Sequence, residues 1–162
     1  IYLWKPSKIG KTTKSKISKS GVVSEKRKIS YKKPNETQRK GLVISRVGQG
    51  YYRQQIIEKW NGSCPVTKSN LKSILISSHI VPWSESNDEE RLDVENGILL
   101  SPLYDSLFDR HLISFTNDGN ILISNKLDQS DINNLNIKTD CKITVSEGMK
   151  DYLRRHREIF HQ

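Results

Sequence analysis

The sequence predicts an α+β domain, and three observations predict it. Two short apolar runs, Ile74-Leu75-Ile76 and Gly97-Ile98-Leu99-Leu100, are separated by a polar, acidic stretch and followed by helical spacing at Leu103, Leu107 and Phe108. Two further runs, Leu112-Ile113-Ser114-Phe115 and Ile121-Leu122-Ile123, flank Asn117-Asp118-Gly119-Asn120, and Asp-Gly between apolar runs is a strong hairpin signal. Helical periodicity brackets these strands on both sides.

Taken in order, residues 1–10 read as the tail of an upstream domain, with Tyr2, Leu3 and Trp4 resembling a strand end. The chain does not begin with Met, which fits that expectation. Residues 11–40 are rich in Lys, Ser and Thr and read as a basic linker with a short strand at Gly21-Val22-Val23. Order is expected to return near Gly41-Leu42, which places the boundary between segments 1–40 and 41–162. Apolar residues at 52, 56, 57 and 60 predict a helix over 51–60, stopped by Asn61-Gly62. Cys64-Pro65-Val66-Thr67 is turn-like, Ile74–Ile76 is a strand leading into His79, and residues 84–95 are a loop. After the second strand, the helix and the hairpin, residues 126–140 read as polar and irregular. Ile143-Thr144-Val145 reads as a short strand. Ser146 is a suitable N-cap for a last helix over 147–160 that buries Met149, Tyr152, Leu153 and Phe160.

Composition narrows the partners. The chain has 162 residues and a net charge of +9, with mean hydropathy −0.65. Residues 1–50 hold fourteen Lys/Arg against two acids, which leaves thirteen against sixteen in the remainder. The basic charge is therefore an appendage to a mildly acidic domain. Such a segment suits a phosphate backbone, which attracts cations without regard to sequence and in a salt-sensitive way; a solvated linker explains Lys11–Lys19 equally well. No apolar run approaches the ~20 residues of a membrane span and no secretory signal is present, so a cytoplasmic protein is expected. The two cysteines, Cys64 and Cys141, form no CxxC pair and read as free thiols.

One stretch carries chemistry. His79 ends one apolar run, Asn96 begins the next, and Asp105 and Asp109 follow nine and thirteen residues after the asparagine. Hydrolysis of a phosphodiester needs a general base, a residue that holds it and ligands for a divalent cation. Taken singly, each residue has a plain structural explanation. Asp105 and Asp109 share a helix face at i, i+4, where like charges repel unless a cation lies between them; a solvated acidic face fits the spacing equally well.

Taken together, Ser78-His79-Ile80-Val81-Pro82-Trp83, Arg91-Leu92-Asp93 leading to Glu95-Asn96-Gly97-Ile98-Leu99-Leu100-Ser101-Pro102, and Leu107-Phe108-Asp109-Arg110 closely resemble the HNH endonuclease family. The likeness is to the branch found as a C-terminal domain in bacterial restriction-type proteins. It extends from Arg46-Val47-Gly48-Gln49-Gly50, Arg53 and Cys64–Thr67 to the closing helix with Tyr152, His156 and Arg157, covering roughly residues 44–160. The resemblance implies a ββα-metal core, two strands and a helix around one divalent cation, with flanking helices and a β-hairpin. It implies His79 as general base, Asn96 as the residue that holds its loop, and Asp105 and Asp109 as metal ligands. Ser78 stands where many members have an Asp or His ligand, and Asp105 stands in place of the family's third signature residue. An oxygen-rich set of this kind favours Mg²⁺ or Mn²⁺. Arg46, Arg53 and Arg91 are the candidate phosphate contacts, and His111 is expected to point away from the two acids. The function expected is metal-dependent cleavage of double-stranded DNA in bacterial defence, with an upstream recognition domain. A double-strand cut usually uses two active sites, which allows a homodimer. The alternative is a catalytically silent DNA-binding module of the same fold, for which Ser78 is the best argument.

Overall fold

The computed structural model describes residues 46–160, with side chains from residue 49. The expectations for residues 1–40, the domain boundary and the strand at 21–23 lie outside the described residues. Among the described residues no helix is long and apolar enough to cross a membrane.

Helix α1 runs Arg46–Lys59. It buries Tyr51, Tyr52 and Ile56, with Ile57 and Trp60 packed on the core. It ends where expected: Asn61 and Gly62 both take positive φ, and the Gly62 amide donates to the Ile57 carbonyl at 2.7 Å. Residues with short or absent side chains adopt this left-handed turn at least cost.

Strand β1 is Ile76–His79, antiparallel to β2, Gly97–Leu100, in the register Ile76↔Leu100 and His79↔Gly97. The expected strand at 74–76 is corrected: Ile74 lies in a turn, its amide bonded to the Leu71 carbonyl, and the strand begins at Ile76. Pairing with the fully buried β2 sets the boundary, and it carries the polar Ser77 and Ser78 into the ladder where an apolar run would not place them. The intervening loop contains a 3₁₀ turn at Val94–Asn96, capped by Asp93, whose side chain accepts from the Glu95 amide.

Helix α2 is Pro102–Asp109, with Pro at its first position. It buries Tyr104, Leu107 and Phe108; Leu103, expected to face inward, is only half-buried. The hairpin forms as expected, pairing β3, Ile113–Phe115, with β4, Ile121–Ile123, around Gly119 at φ 86°. Two expectations are corrected downstream. Residues 126–140 contain a helix, α3, at Gln129–Asn134, whose N-cap Asp128 accepts from the Asp131 amide. Its one apolar residue, Ile132, is only partly buried, so no apolar period announces it. Residues 143–145 form no strand; a single bridge, Asn120↔Lys142, and the bond from the Ile143 amide to the Gly119 carbonyl tie this segment to the hairpin.

Helix α4, Glu147–Ile159, closes the domain. Ser146 is its N-cap by position, but its hydroxyl donates to Glu95 instead of the helix amides. Met149, Leu153 and His156 are buried, and Phe160 just beyond the helix is buried too. The core joins α1, β2, α2, β3 and α4, with Ile56, Leu99, Phe108, Phe115, Met149 and Leu153 fully enclosed.

His156 is a buried polar side chain beside that core. Its Nε2–H donates to the Phe108 carbonyl at 3.1 Å, its Nδ1 accepts from the Ser114 hydroxyl at 3.0 Å, and its ring stacks on Phe108. Burial, assisted by the nearby His111 and Arg157, holds it down at about 4, well below the usual 6.5. The sign follows: between pH 6.5 and about 4 the unfolded chain takes a proton that the native chain refuses, so stability falls as pH falls. The loss between pH 7 and pH 5 is roughly 2 kcal/mol. Urea unfolding at both pH values is expected to show it in the wild type and to show a smaller pH dependence in His156→Leu. Equal slopes would remove His156 as the cause.

Candidate active site

His79 ends β1 and is held on three sides. Its ring lies parallel to that of Tyr52, 4.2 Å between centroids and 7° between planes. Trp83 meets it edge-on at 5.5 Å. Its Nε2 is 3.0 Å from the Arg91 carbonyl. A carbonyl only accepts, so Nε2 carries the proton and Nδ1 carries the lone pair. Among the described residues nothing hydrogen-bonds Nδ1. Burial lowers the imidazole below its usual range, opposed in part by the Arg91 carbonyl. His79 is therefore neutral at pH 7.

Asn96 is fully buried and fastens the loop that leaves His79. Its Oδ1 accepts from the Val81 amide at 2.8 Å. Its Nδ2 donates to the Glu90 carbonyl at 3.1 Å and the Ser86 hydroxyl at 3.2 Å. One side chain thus joins the start of the loop to its end. The Asn96 backbone carbonyl accepts from the Ile80 amide and from the Tyr52 hydroxyl.

The acids sit across the strand. Successive residues leave a strand on opposite faces. His79 goes to Tyr52 on α1, while buried Ser78 donates its hydroxyl to Asp105 on α2. Asp109 lies one turn further along α2, at the solvent-accessible helix end. Partial desolvation and then the charge of Asp105 raise its carboxyl. Among the described residues no group of three or more His, Cys, Asp or Glu side chains is gathered to hold a metal.

The arginines divide. Arg91 lies 5.0 Å over the Trp83 ring, donates to the Trp83 carbonyl at 3.1 Å and pairs with Asp88 at 3.0 Å. Arg53 donates to the Leu75 and Lys72 carbonyls, each at 2.7 Å, and so pins the turn before β1. The Arg46 side chain lies outside the described residues. His111, two residues beyond α2, has φ 53° and its ring lies 4.4 Å from that of His156.

Residues 64–116 match the family model for HNH endonuclease. This segment belongs to the HNH family. No curated protein matches the chain. The matched residues contain the ββα unit, β1, β2 and α2, with His79, Asn96, Asp105 and Asp109 in it. HNH domains are in general DNA nucleases that use a divalent ion. The donor set of this HNH domain suits such an ion: two carboxylates at i, i+4 on one helix, with the Ser78 hydroxyl beside Asp105. A hard cation that keeps several waters needs no more protein ligands than these.

Sequence reasoning missed the supports from outside the match. Tyr52 and Lys59 reach the HNH segment from α1, the latter bonding the Val94 carbonyl and Glu95. From α4, Tyr152 donates to Asp93, Arg155 pairs with Glu90 at 2.7 Å, and His156 holds the C-terminal end of α2. The tyrosine was legible only as a core residue of an amphipathic helix.

A base must be unprotonated to act, so rate rises with pH through the folded pKa of His79. Because burial sets that value below 6.5, the acid limb of the kcat/KM profile for DNA nicking is expected below pH 6.5. An acid limb above 6.5 would assign it to another group.

Proposed function

We propose that this HNH domain is a metal-dependent endonuclease that hydrolyses phosphodiester bonds in double-stranded DNA. The observation that carries the reading is the fastening of a neutral, single-tautomer His79 by the Arg91 carbonyl and the Asn96-bound loop. A histidine kept only for packing has no need of an unbonded ring nitrogen.

In this reading Nδ1 of His79 takes a proton from the attacking water as the water oxygen bonds to phosphorus. The P–O3′ bond breaks, leaving a 5′-phosphate and, after protonation, a 3′-hydroxyl. The imidazolium that forms keeps its Nε2–H on the Arg91 carbonyl, so the ring does not reorient during the transfer. Asp105 and Asp109, with Ser78 beside them, would hold one Mg²⁺ or Mn²⁺, which supplies Lewis-acid stabilisation of the developing charge on the phosphate and the leaving oxygen. Because His79 and Ser78 leave β1 on opposite faces, the scissile phosphate would lie across the open end of the strand.

Arg46, Arg53 and Arg91 are the phosphate contacts in this reading; Arg53 is tied to two carbonyls, and Arg91 to the Trp83 carbonyl and Asp88. The basic segment 1–40 would add salt-sensitive affinity. Cleavage in bacterial DNA defence, a cytoplasmic setting, an upstream recognition domain and a homodimer for double-strand cuts complete the reading. A catalytically silent DNA-binding module is the second reading, favoured by Ser78 at a ligand position and by the lack of a three-residue ligand group among the described residues. Incubation of the purified chain with supercoiled plasmid separates them. Nicking with Mg²⁺ or Mn²⁺ that EDTA abolishes is expected; binding without nicking in either metal would favour the silent module.

A further inference from the structure

We propose that Tyr52 is a positioning residue for His79, holding the imidazole against its ring face while its hydroxyl locks the neighbouring backbone. The inference rests on His79 being the base. Tyr52 lies on α1, outside the matched residues 64–116.

Four observations converge on it. The two rings are within 7° of parallel at 4.2 Å, so rotation of the imidazole about its Cβ–Cγ bond would drive it into the tyrosine face. The Tyr52 hydroxyl donates to the Asn96 carbonyl at 2.9 Å, the carbonyl that also accepts from the Ile80 amide. One side chain therefore contacts both the ring of His79 and the backbone of Asn96. Tyr52 is only 4% exposed, and burial, then the charge of Asp93, raises its phenol, so it stays a neutral donor. Finally, its approach depends on Gly97. A Cβ there would stand 2.4 Å from the Tyr52 hydroxyl and 2.1 Å from Ile56 Cδ1. Gly97 has φ −142°, a conformation open to any residue, so what it provides is room for α1.

A core aromatic that merely fills space would be replaceable by any apolar side chain of similar volume. A positioning ring would not, because only a flat face blocks imidazole rotation and keeps water off it. Phe retains the face and loses the hydroxyl; Met keeps an apolar side chain in the space and loses both.

The test is NMR of the ¹⁵N-histidine-labelled 162-residue chain, with His79 assigned by loss of its signals in His79→Ala. Wild-type His79 ring protons are expected upfield, displaced by the tyrosine ring current. Its nitrogens are expected to report mainly the Nε2–H tautomer. Tyr52→Phe is expected to keep both features. Tyr52→Met, checked for folding by thermal melting, is expected to lose the upfield displacement and mix tautomers. Absence of the displacement in the wild type overturns the proposal, and so does a folded Tyr52→Met with an unchanged tautomer. Should Tyr52→Met not fold, Tyr52→Leu replaces it, and an unchanged tautomer there overturns the proposal equally. None of these readouts needs cleavage, so a chain that fails to nick DNA while showing them would sink the nuclease reading while leaving the hold of Tyr52 on the His79 ring intact.

Discussion

His79→Ala is expected to lower the nicking rate by ~10²–10⁴, the usual effect of deleting a general base, and no metal concentration restores it. The fold should survive, because the ring lies at the end of β1 and is only partly buried. Asp105→Ala is expected to lose activity by a different route. It removes a carboxylate that would hold the cation and the acceptor for the Ser78 hydroxyl, so activity should return in part as Mg²⁺ or Mn²⁺ is raised. Nicking time courses for both variants at two metal concentrations read the difference. Wild-type cutting by His79→Ala would refute the base assignment and the mechanism with it. Rescue of both variants alike would show that His79 serves the metal instead.

The second large effect is expected at Asn96. Alanine there leaves the buried Val81 amide without its acceptor and the Glu90 carbonyl with the Asp93 amide as its donor. A buried polar group left unpaired costs ~1–3 kcal/mol, so a loss of about 2 kcal/mol is expected in urea unfolding. The local readout is hydrogen exchange of the Val81 amide, which should become fast in the variant while amides of β3 and α4 stay protected. Cleavage should fall less than in His79→Ala, since the base remains and only its loop loosens. Unchanged stability together with a protected Val81 amide would mean that Asn96 does not fasten this loop.

The supports of the site are spread beyond the HNH segment. Tyr152 and Arg155 on α4 hold Asp93 and Glu90, at the end of the loop whose Arg91 carbonyl orients His79. Lys59 and Tyr52 on α1 hold the 3₁₀ turn that presents Asn96. The ββα unit supplies the reacting groups, and the two flanking helices limit how far they move.

Much of this was legible in the chain because it rests on short-range physics. Positive φ at Asn61-Gly62, the Asp118-Gly119 turn and the period of α4 follow from sterics and spacing among near neighbours, and each formed as expected. The order of His79, Asn96, Asp105 and Asp109 pointed to the HNH family for the same reason: β1, β2 and α2 follow one another with little between them but a loop. Other features answered to distant partners. The start of β1 was decided by its pairing with β2, which drew two serines into a strand that apolar periodicity had placed earlier. α3 formed on an Asp128 cap without a buried face. The Ser146 hydroxyl left its helix for Glu95, and Arg53 turned to the carbonyls of Leu75 and Lys72. Above all, the face on which His79 rests came from Tyr52, twenty-seven residues earlier, and its tautomer from the Arg91 carbonyl, twelve residues later. Residue types and spacing name the groups that can react, whereas packing across the chain selects which ring nitrogen is left open, because only a folded neighbour can remove water from one side of a side chain and supply a hydrogen bond to the other.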